Sequence, residues 1–306
     1  MRSVAVLVVA LAIDVAFGDP PGRLHPVAWI GALYARGRAW LPGGAAPRFL
    51  VVAGGALTVG VVALAAGAAA AVAWATRDAG VAGVLLDALA LKATLALRGL
   101  VRAAQRVARA LACEDLAAAR DAVGVHLVSR PTAALDGPRV ASAAVESTAE
   151  NLTDAIVAPA FFFLVFGLPG AFAYRAVNTA DAMLGYREGA LEYFGKVAAR
   201  LDDALNFVPA RIAAPALALA AGLAGHDGRG ALRTMWRHHG RTASPNAGWT
   251  MAAMAGGLGV TLEKLGAYRL GLGRLPDARD IEAAVRIMAV AATISIALLS
   301  VVTLAI

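Results

Sequence analysis

The sequence predicts an all-α, polytopic integral membrane protein with about four to five membrane segments, one of them open to a re-entrant reading. Three observations predict it. Hydrophobic residues make up 59% of the chain before its 32 glycines are counted, whereas soluble domains reach roughly 45–50% with glycine included. Charged residues make up only 16%, too few to cover a water-facing surface, for which about a quarter is usual. Long apolar runs recur along the 306 residues, giving a mean hydropathy of +0.67. A bilayer removes the need for a charged coat.

A helix crossing the hydrocarbon core needs about 20 apolar residues. Residues 3–17 form a short first segment carrying Asp14. No small-residue cleavage site precedes Asp19-Pro20, so a retained membrane helix is expected here rather than a removed signal peptide. Residues 49–75 form the clearest span, and 287–306 form another with almost no polarity. Residues 81–111 read as one long helix, with Arg98, Arg102, Arg106 and Arg109 on one face and apolar residues on the other. That cationic face suits either anionic headgroups or a substrate phosphate. Asp87 and Lys92, deeper in the same helix, require a partner or a polar cavity.

Residues 155–166 offer about twelve apolar positions before the breaker Gly167-Leu168-Pro169-Gly170. That is a rise of only about 18 Å at 1.5 Å per residue, so the segment is re-entrant or belongs to a broken span continuing through 171–177. Residues 204–225 are interrupted by Pro209, Arg211 and Pro215. One membrane domain is expected, with polar loops at about 18–48, 112–154, 178–203 and 226–286. The second and third of these are expected to share one side of the membrane.

The net charge of +7 is spread between apolar spans without a basic–aromatic module, which argues against nucleic acid as a partner. Cys113 is the only cysteine, excluding an intrachain disulfide and a thiolate metal cage. Neither a GxxxxGK[ST] phosphate loop nor an HExxH zinc motif is present.

Four polar segments carry the candidate chemistry. In ESTAENLTD (146–154), Glu146, Glu150 and Asp154 recur every four residues, so on a helix they line one face beside Asn151. Like charges at that spacing repel. A hard divalent cation such as Mg²⁺, shared with phosphate, would neutralise them, and a solvated acidic face is the alternative. In the second segment Asn178 and Asp181 precede an Asp202-Asp203-x-x-Asn206 cluster bracketed by Arg200 and Arg211. Two carboxylates and an amide can share a metal while arginines clamp its phosphate. An acidic helix start with paired arginines is the alternative. In FGDPPGRLHPVAWIG (17–31), a proline-built turn presents Asp19, Arg23 and His25, and His25 is the candidate general base. In SPNAGWTMAAMAG (244–256), Ser244 and Asn246 either donate to a ligand or cap a helix.

Taken together, GDPPGRLHPVAWIG, ESTAENLTDAIVAP, the run from Ala173 through NTADAMLGY and FGKVAARLDDALNFVPAR, and SPNAGWTMAAMAGGLGV resemble, in order, the motifs of the adenosylcobinamide-phosphate synthase family of cobalamin biosynthesis (CobD/CbiB type). They span residues 14 to about 286. The chain departs from the family pattern at Arg130-Pro131, where Arg-Asp is usual, at Lys196, where an aromatic is common, and at Ala180 and Ala182.

The resemblance implies an ATP-dependent amide ligation. A propionate of adenosylcobyric acid, a corrinoid, is joined to 1-aminopropan-2-ol or its O-phosphate, giving adenosylcobinamide or its phosphate. Carboxylate and amine do not condense readily in water, so ATP with Mg²⁺ is implied as the activator, through an acyl phosphate that the amine attacks. Under this reading Glu146, Glu150, Asp154, Asp202 and Asp203 serve Mg²⁺ and substrate. Glu146, Glu150 and Asp203 join His25 as the catalytic set. Arg200 and Arg211 take phosphate, while Asn151, Asn178, Asp181, Asn206, Ser244 and Asn246 orient substrate. Also implied are the cell (inner) membrane, an active site facing the cytoplasm, and association with other cobalamin-assembly enzymes. Two rival readings are a Mg²⁺-dependent intramembrane prenyltransferase and a non-catalytic transporter or membrane regulator whose buried carboxylates relay ions.

Overall fold

The computed structural model describes residues 1–20, 22–41 and 44–305, and they are helical almost throughout. Pro21 of the 17–31 turn, Pro42 and Gly43 of the 18–48 stretch, and Ile306 of the last span lie outside the described residues. Helix α1 (Arg2–Phe17) stops at Gly18, whose φ of 73° no β-carbon favours. Helices α2 (Pro26–Ala39) and α3 (Pro47–Thr76) both begin on proline, whose missing N–H costs nothing in a first turn. Helix α4 (Gly80–Lys92) is followed by α5 (Leu97–Ala112). Asp115 and Asp136 cap α6 (Leu116–His126) and α7 (Gly137–Leu152) by accepting N–H groups of the first turn.

A π-turn (Thr153–Val157) leads from α7 into α8 (Ala158–Leu184). The short α9 (Leu191–Phe194), α10 (Lys196–Leu205) and α11 (Phe207–Leu223) follow. Then come α12 (Gly228–His238), α13 (Ala247–Leu258), a hairpin of β1 (Leu262–Lys264) and β2 (Tyr268–Leu270), and α14 (Ala278–Ala305).

Among the described residues four stretches are long and apolar enough to cross a membrane: Pro47–Thr76, Gly80–Ala112, Gly137–Leu184 and Ala278–Ala305. The pair α10–α11, bent by 50°, gives a fifth if counted as one span. The chain is a multi-pass membrane protein.

One stretch differs in detail from the sequence reading, and a second takes one of its two expected forms. Residues 81–111 are two helices, because the N–H groups of Thr94 and Leu95 turn back to the carbonyls of Leu91 and Lys92 at 2.9 and 3.0 Å. Such three-residue bonds close a helix end. The run 155–166 does continue helically through 171–177, across a non-helical Gly167 (φ 68°, ψ −161°). The polar stretches are themselves largely helical, over α2, α6, most of α7, α10 and α12.

The described residues group into two compact units, each built from separated pieces of chain. The first comprises 1–96, 158–206 and 299–306. Its core joins Ile30 and Tyr34 of α2, Leu50 of α3, Leu184 of α8, Phe194 of α9 and Ala198 of α10. Gly54 of α3 lies so close to α9 that a β-carbon there would sit 1.8 Å from the Phe194 carbonyl oxygen.

The charged residues Asp87 and Lys92, buried in this unit, are paired. Asp87 takes Arg2 at 2.9 Å and the Thr76 hydroxyl at 2.6 Å. Lys92, almost wholly buried, lies 3.4 Å from Asp14 and also pairs with Asp19. The partner that Asp87 and Lys92 require is thus the N-terminal helix and the turn after it. Breaking one side of a buried pair costs about 3–5 kcal/mol, which fixes α1 against α4.

The second unit comprises 97–157 and 207–298. Its α12 and α13 approach closely through small residues, and a β-carbon on Gly256 would meet the Gly230 carbonyl at 2.4 Å. Helix α7 is buried at every position from Val140 to Ala149, and β1 packs against it.

Candidate functional site

In the second unit the buried length of α7 carries one carboxylate, Glu146, only 5% exposed. Ser142, one turn earlier, donates to Glu146 Oε1 at 2.7 Å. Tyr268 of β2 donates its hydroxyl to Oε2 at 2.8 Å, and Arg130 Nη2 stands 3.5 Å from the same oxygen. The Ser142 hydroxyl also accepts the Glu263 N–H at 2.7 Å, tying the hairpin to α7. Burial, together with the Glu146 charge, raises the Tyr268 phenol well above its ordinary value, so it remains a donor at physiological pH.

Glu150, half-buried one turn further along α7, is near enough for its charge to act on the same phenol. Asn151 turns its amide back onto the Ser147 carbonyl and hydroxyl at 2.9 and 3.1 Å. Asp154 lies in the π-turn, where the wider winding interrupts the four-residue spacing on which a continuous stripe depends.

The same unit brings Arg211, Ser244 and Asn246 together. The Arg211 guanidinium donates to Asn246 Oδ1, to the Pro245 carbonyl at 3.3 Å and to the Phe207 carbonyl at 2.9 Å. It lies over the Phe207 ring at 3.8 Å and the Trp249 ring at 5.0 Å. Ser244 Oγ accepts the Asn246 N–H at 3.3 Å. This arrangement clamps the start of α11 to the 244–246 turn.

In the first unit the DDxxN cluster meets α8. Asn178 Nδ2 donates to Asp202 Oδ1 at 3.2 Å, and Asn206 Nδ2 donates to Oδ2 at 3.0 Å. The chain of bonds continues on both sides. Tyr174 donates to Asn206 Oδ1 at 2.9 Å, and Arg175 donates to Asn178 Oδ1 at 3.2 Å. Asp181 follows Asn178 on α8, and its carbonyl accepts the Gly185 N–H at 2.7 Å. Asp203, half-buried, lines a groove with Arg200, which stands 4.0 Å away and is mostly exposed.

His25 caps α2. Its Nδ1 accepts the Val27 N–H at 3.2 Å, and its Nε2 is 3.5 Å from Asp19. Burial would raise the Asp19 carboxyl, but hydrogen bonds from His25 and Lys92 outweigh it and hold the group at about 2. In this arrangement Nδ1 accepts the Val27 N–H and Nε2 faces the Asp19 carboxylate as donor, so a base role requires Nδ1 to release Val27.

The donor set also bears on Mg²⁺. Among the described residues no three His, Cys, Asp or Glu side chains form a ready-made metal cage. Both oxygens of Glu146 and of Asp202 already accept hydrogen bonds. Mg²⁺ needs no full cage, since it keeps several waters and binds one or two carboxylates plus phosphate. Glu150, half-buried in the second unit, fits that smaller demand.

Sequence reasoning passed over Ser142, Tyr174, Arg175, Tyr268 and the Asp14–Lys92 pair. Ser142 sits four residues before Glu146 and carried a local signal. The others are supplied from elsewhere in the chain or lie inside apolar runs.

A family model described as CobD/Cbib protein matches residues 7–296. The chain is 44% identical to "Cobalamin biosynthesis protein CobD" of Dehalococcoides mccartyi, over 89% of this chain and 87% of that protein. It is 41% identical to "Probable cobalamin biosynthesis protein CobD" of Methanothermobacter thermautotrophicus, over 89% and 88%. It is 40% identical to "Cobalamin biosynthesis protein CobD" of Klebsiella pneumoniae, over 95% and 94%. No solved structure matches the chain.

Proposed function

The chain belongs to the CobD/Cbib protein family, with a role in cobalamin biosynthesis, and from that premise we propose that it is an adenosylcobinamide-phosphate synthase, a carbon–nitrogen ligase. The observation that carries the reading is the coincidence of the family's extent, residues 7–296, with two buried polar networks. One is centred on Glu146 in ESTAENLTD and the other on Asp202 in LDDALN, one in each helical unit.

The reaction is an amide ligation. The γ-phosphoryl group of ATP passes to a propionate oxygen of adenosylcobyric acid, and ADP leaves. The amine nitrogen of 1-aminopropan-2-ol or its O-phosphate then attacks the carbonyl carbon. The carbon–oxygen bond to phosphate breaks, inorganic phosphate departs, and the amine proton passes to a base. Mg²⁺ bound with ATP screens the phosphate charge.

The chain's own residues supply position and charge. Glu150 would hold the Mg²⁺ that arrives with ATP. Glu146 acts as a positioning residue, because its oxygens fix Ser142, Tyr268 and Arg130. Asp202 likewise fixes Asn178 and Asn206 toward substrate. Arg200 and Asp203 face ligand in their groove. His25 receives the proton at Nδ1 when that atom is released from the Val27 N–H. The reaction runs at the cytoplasmic face of the cell's inner membrane, where ATP and the corrinoid are found.

The test is incubation of the purified protein with adenosylcobyric acid, ATP and either amine, with product read by mass spectrometry. An amide product that requires ATP supports the reading. Its absence with both amines would sink it.

A further inference from the structure

The 185–203 segment of the first unit folds tightly on itself. Gly189 turns the chain at φ 53°. Gly195 sits so near the end of α8 that a β-carbon would come within 1.8 Å of the Leu184 carbonyl oxygen. The start of α10 is thereby pinned beside the end of α8, and a groove of about 220 Å³ opens along them.

Three cationic side chains line this groove, Arg187, Lys196 and Arg200, with two carboxylates, Glu192 and Asp203. Three positive charges against two negative leave the groove with an excess of one positive charge. The internal pairing is loose. Lys196 is 3.9 Å from Glu192 and Arg200 is 4.0 Å from Asp203, with Arg200 75% exposed. Arg187 makes no ion pair among the described residues. Ion pairs this long and open to solvent contribute little, so a doubly charged anion competes for the cations easily. Helix α10 also begins at this groove without a side-chain cap, adding its partial positive end. The volume is below the roughly 300–1,000 Å³ of a pocket for a drug-sized ligand, which disfavours a nucleotide and suits a small molecule.

We propose that this groove binds the phosphate of a small phosphate monoester, clamped by Arg187, Lys196 and Arg200, with Glu192 receiving an ammonium on the same molecule. The choice of ester rests on the ligation reading above, which makes it the O-phosphate of the amino alcohol. The clamp itself rests on the groove.

Titration calorimetry of the full chain in detergent tests it, with inorganic phosphate, 1-aminopropan-2-ol O-phosphate and free 1-aminopropan-2-ol as probes. Expected is competition between the two phosphates, with the free amino alcohol at least tenfold weaker. Combined Arg187→Ala and Lys196→Ala should weaken both phosphates at least tenfold, and Lys196→Arg should retain them. Both side chains are exposed, so the double substitution leaves the core untouched. Unchanged phosphate affinity in the double variant, or equal binding of the free amino alcohol, overturns the proposal. If phosphate binds as expected but no amide forms, the ligation reading falls and the clamp stands. If amide forms while phosphate affinity ignores the double variant, the clamp falls and ligation stands.

Discussion

Glu146 and Tyr268 show how far a local reading of the site extends. The carboxylate and its neighbour Ser142 are four residues apart, a helical turn that the sequence displays openly. Tyr268 lies 122 positions away in a three-residue strand, and nothing in its surroundings marks it. Tyr268→Phe leaves a buried carboxylate oxygen short of a donor and should destabilise the protein by about 1–3 kcal/mol in chemical denaturation. Glu146→Gln loosens Arg130 and Tyr268 together, and should lower kcat of ligation by at least about tenfold. Asp19 offers a pH readout. Its carboxyl is held at about 2 against an ordinary 3.8. Its contribution to stability is therefore complete above the ordinary value and is lost as pH falls toward 2. Asp19→Asn should be less stable than the parent at neutral pH, and the gap in melting temperature should close as the pH is lowered through that window.

At the scale of elements, helix breaks divide into legible and hidden ones. Gly167-Leu168-Pro169-Gly170 announces its own interruption, because glycine takes the positive φ and proline cannot continue the bonding pattern. The break after Lys92 has no such mark, since Ala93-Thr94-Leu95-Ala96 contains neither glycine nor proline. There the buried pairing of Lys92 with Asp14 and Asp19 constrains the end of α4. Those partners are 78 and 73 residues distant and could not be read locally. Glycines in α3 were equally silent in sequence, yet their surroundings differ. Gly54 abuts the Phe194 carbonyl, whereas Gly60 faces open space. Gly54→Ala should force α3 and α9 apart and lower the melting temperature by several degrees, as about 1–3 kcal/mol of overpacking does. Gly60→Ala should leave it unchanged or slightly raised.

For the whole molecule, hydropathy alone was sufficient for the class, because spans of this length have one stable environment. It could not divide the chain into two units, since each unit interleaves segments far apart in sequence. Orientation is open to direct measurement through Cys113, the sole cysteine and exposed between α5 and α6. With the catalytic face in the cytoplasm, a membrane-impermeant maleimide should label Cys113 in inverted vesicles and spare it in intact spheroplasts. The reverse pattern contradicts that orientation.

The ligation chemistry is tested most directly by following oxygen. Adenosylcobyric acid carrying ¹⁸O in the reacting propionate is turned over by the purified protein with ATP and the amine, and the released phosphate is weighed by mass spectrometry. Activation by phosphoryl transfer predicts one labelled oxygen in inorganic phosphate for each amide formed. Phosphate without label, or label carried away in AMP, contradicts it.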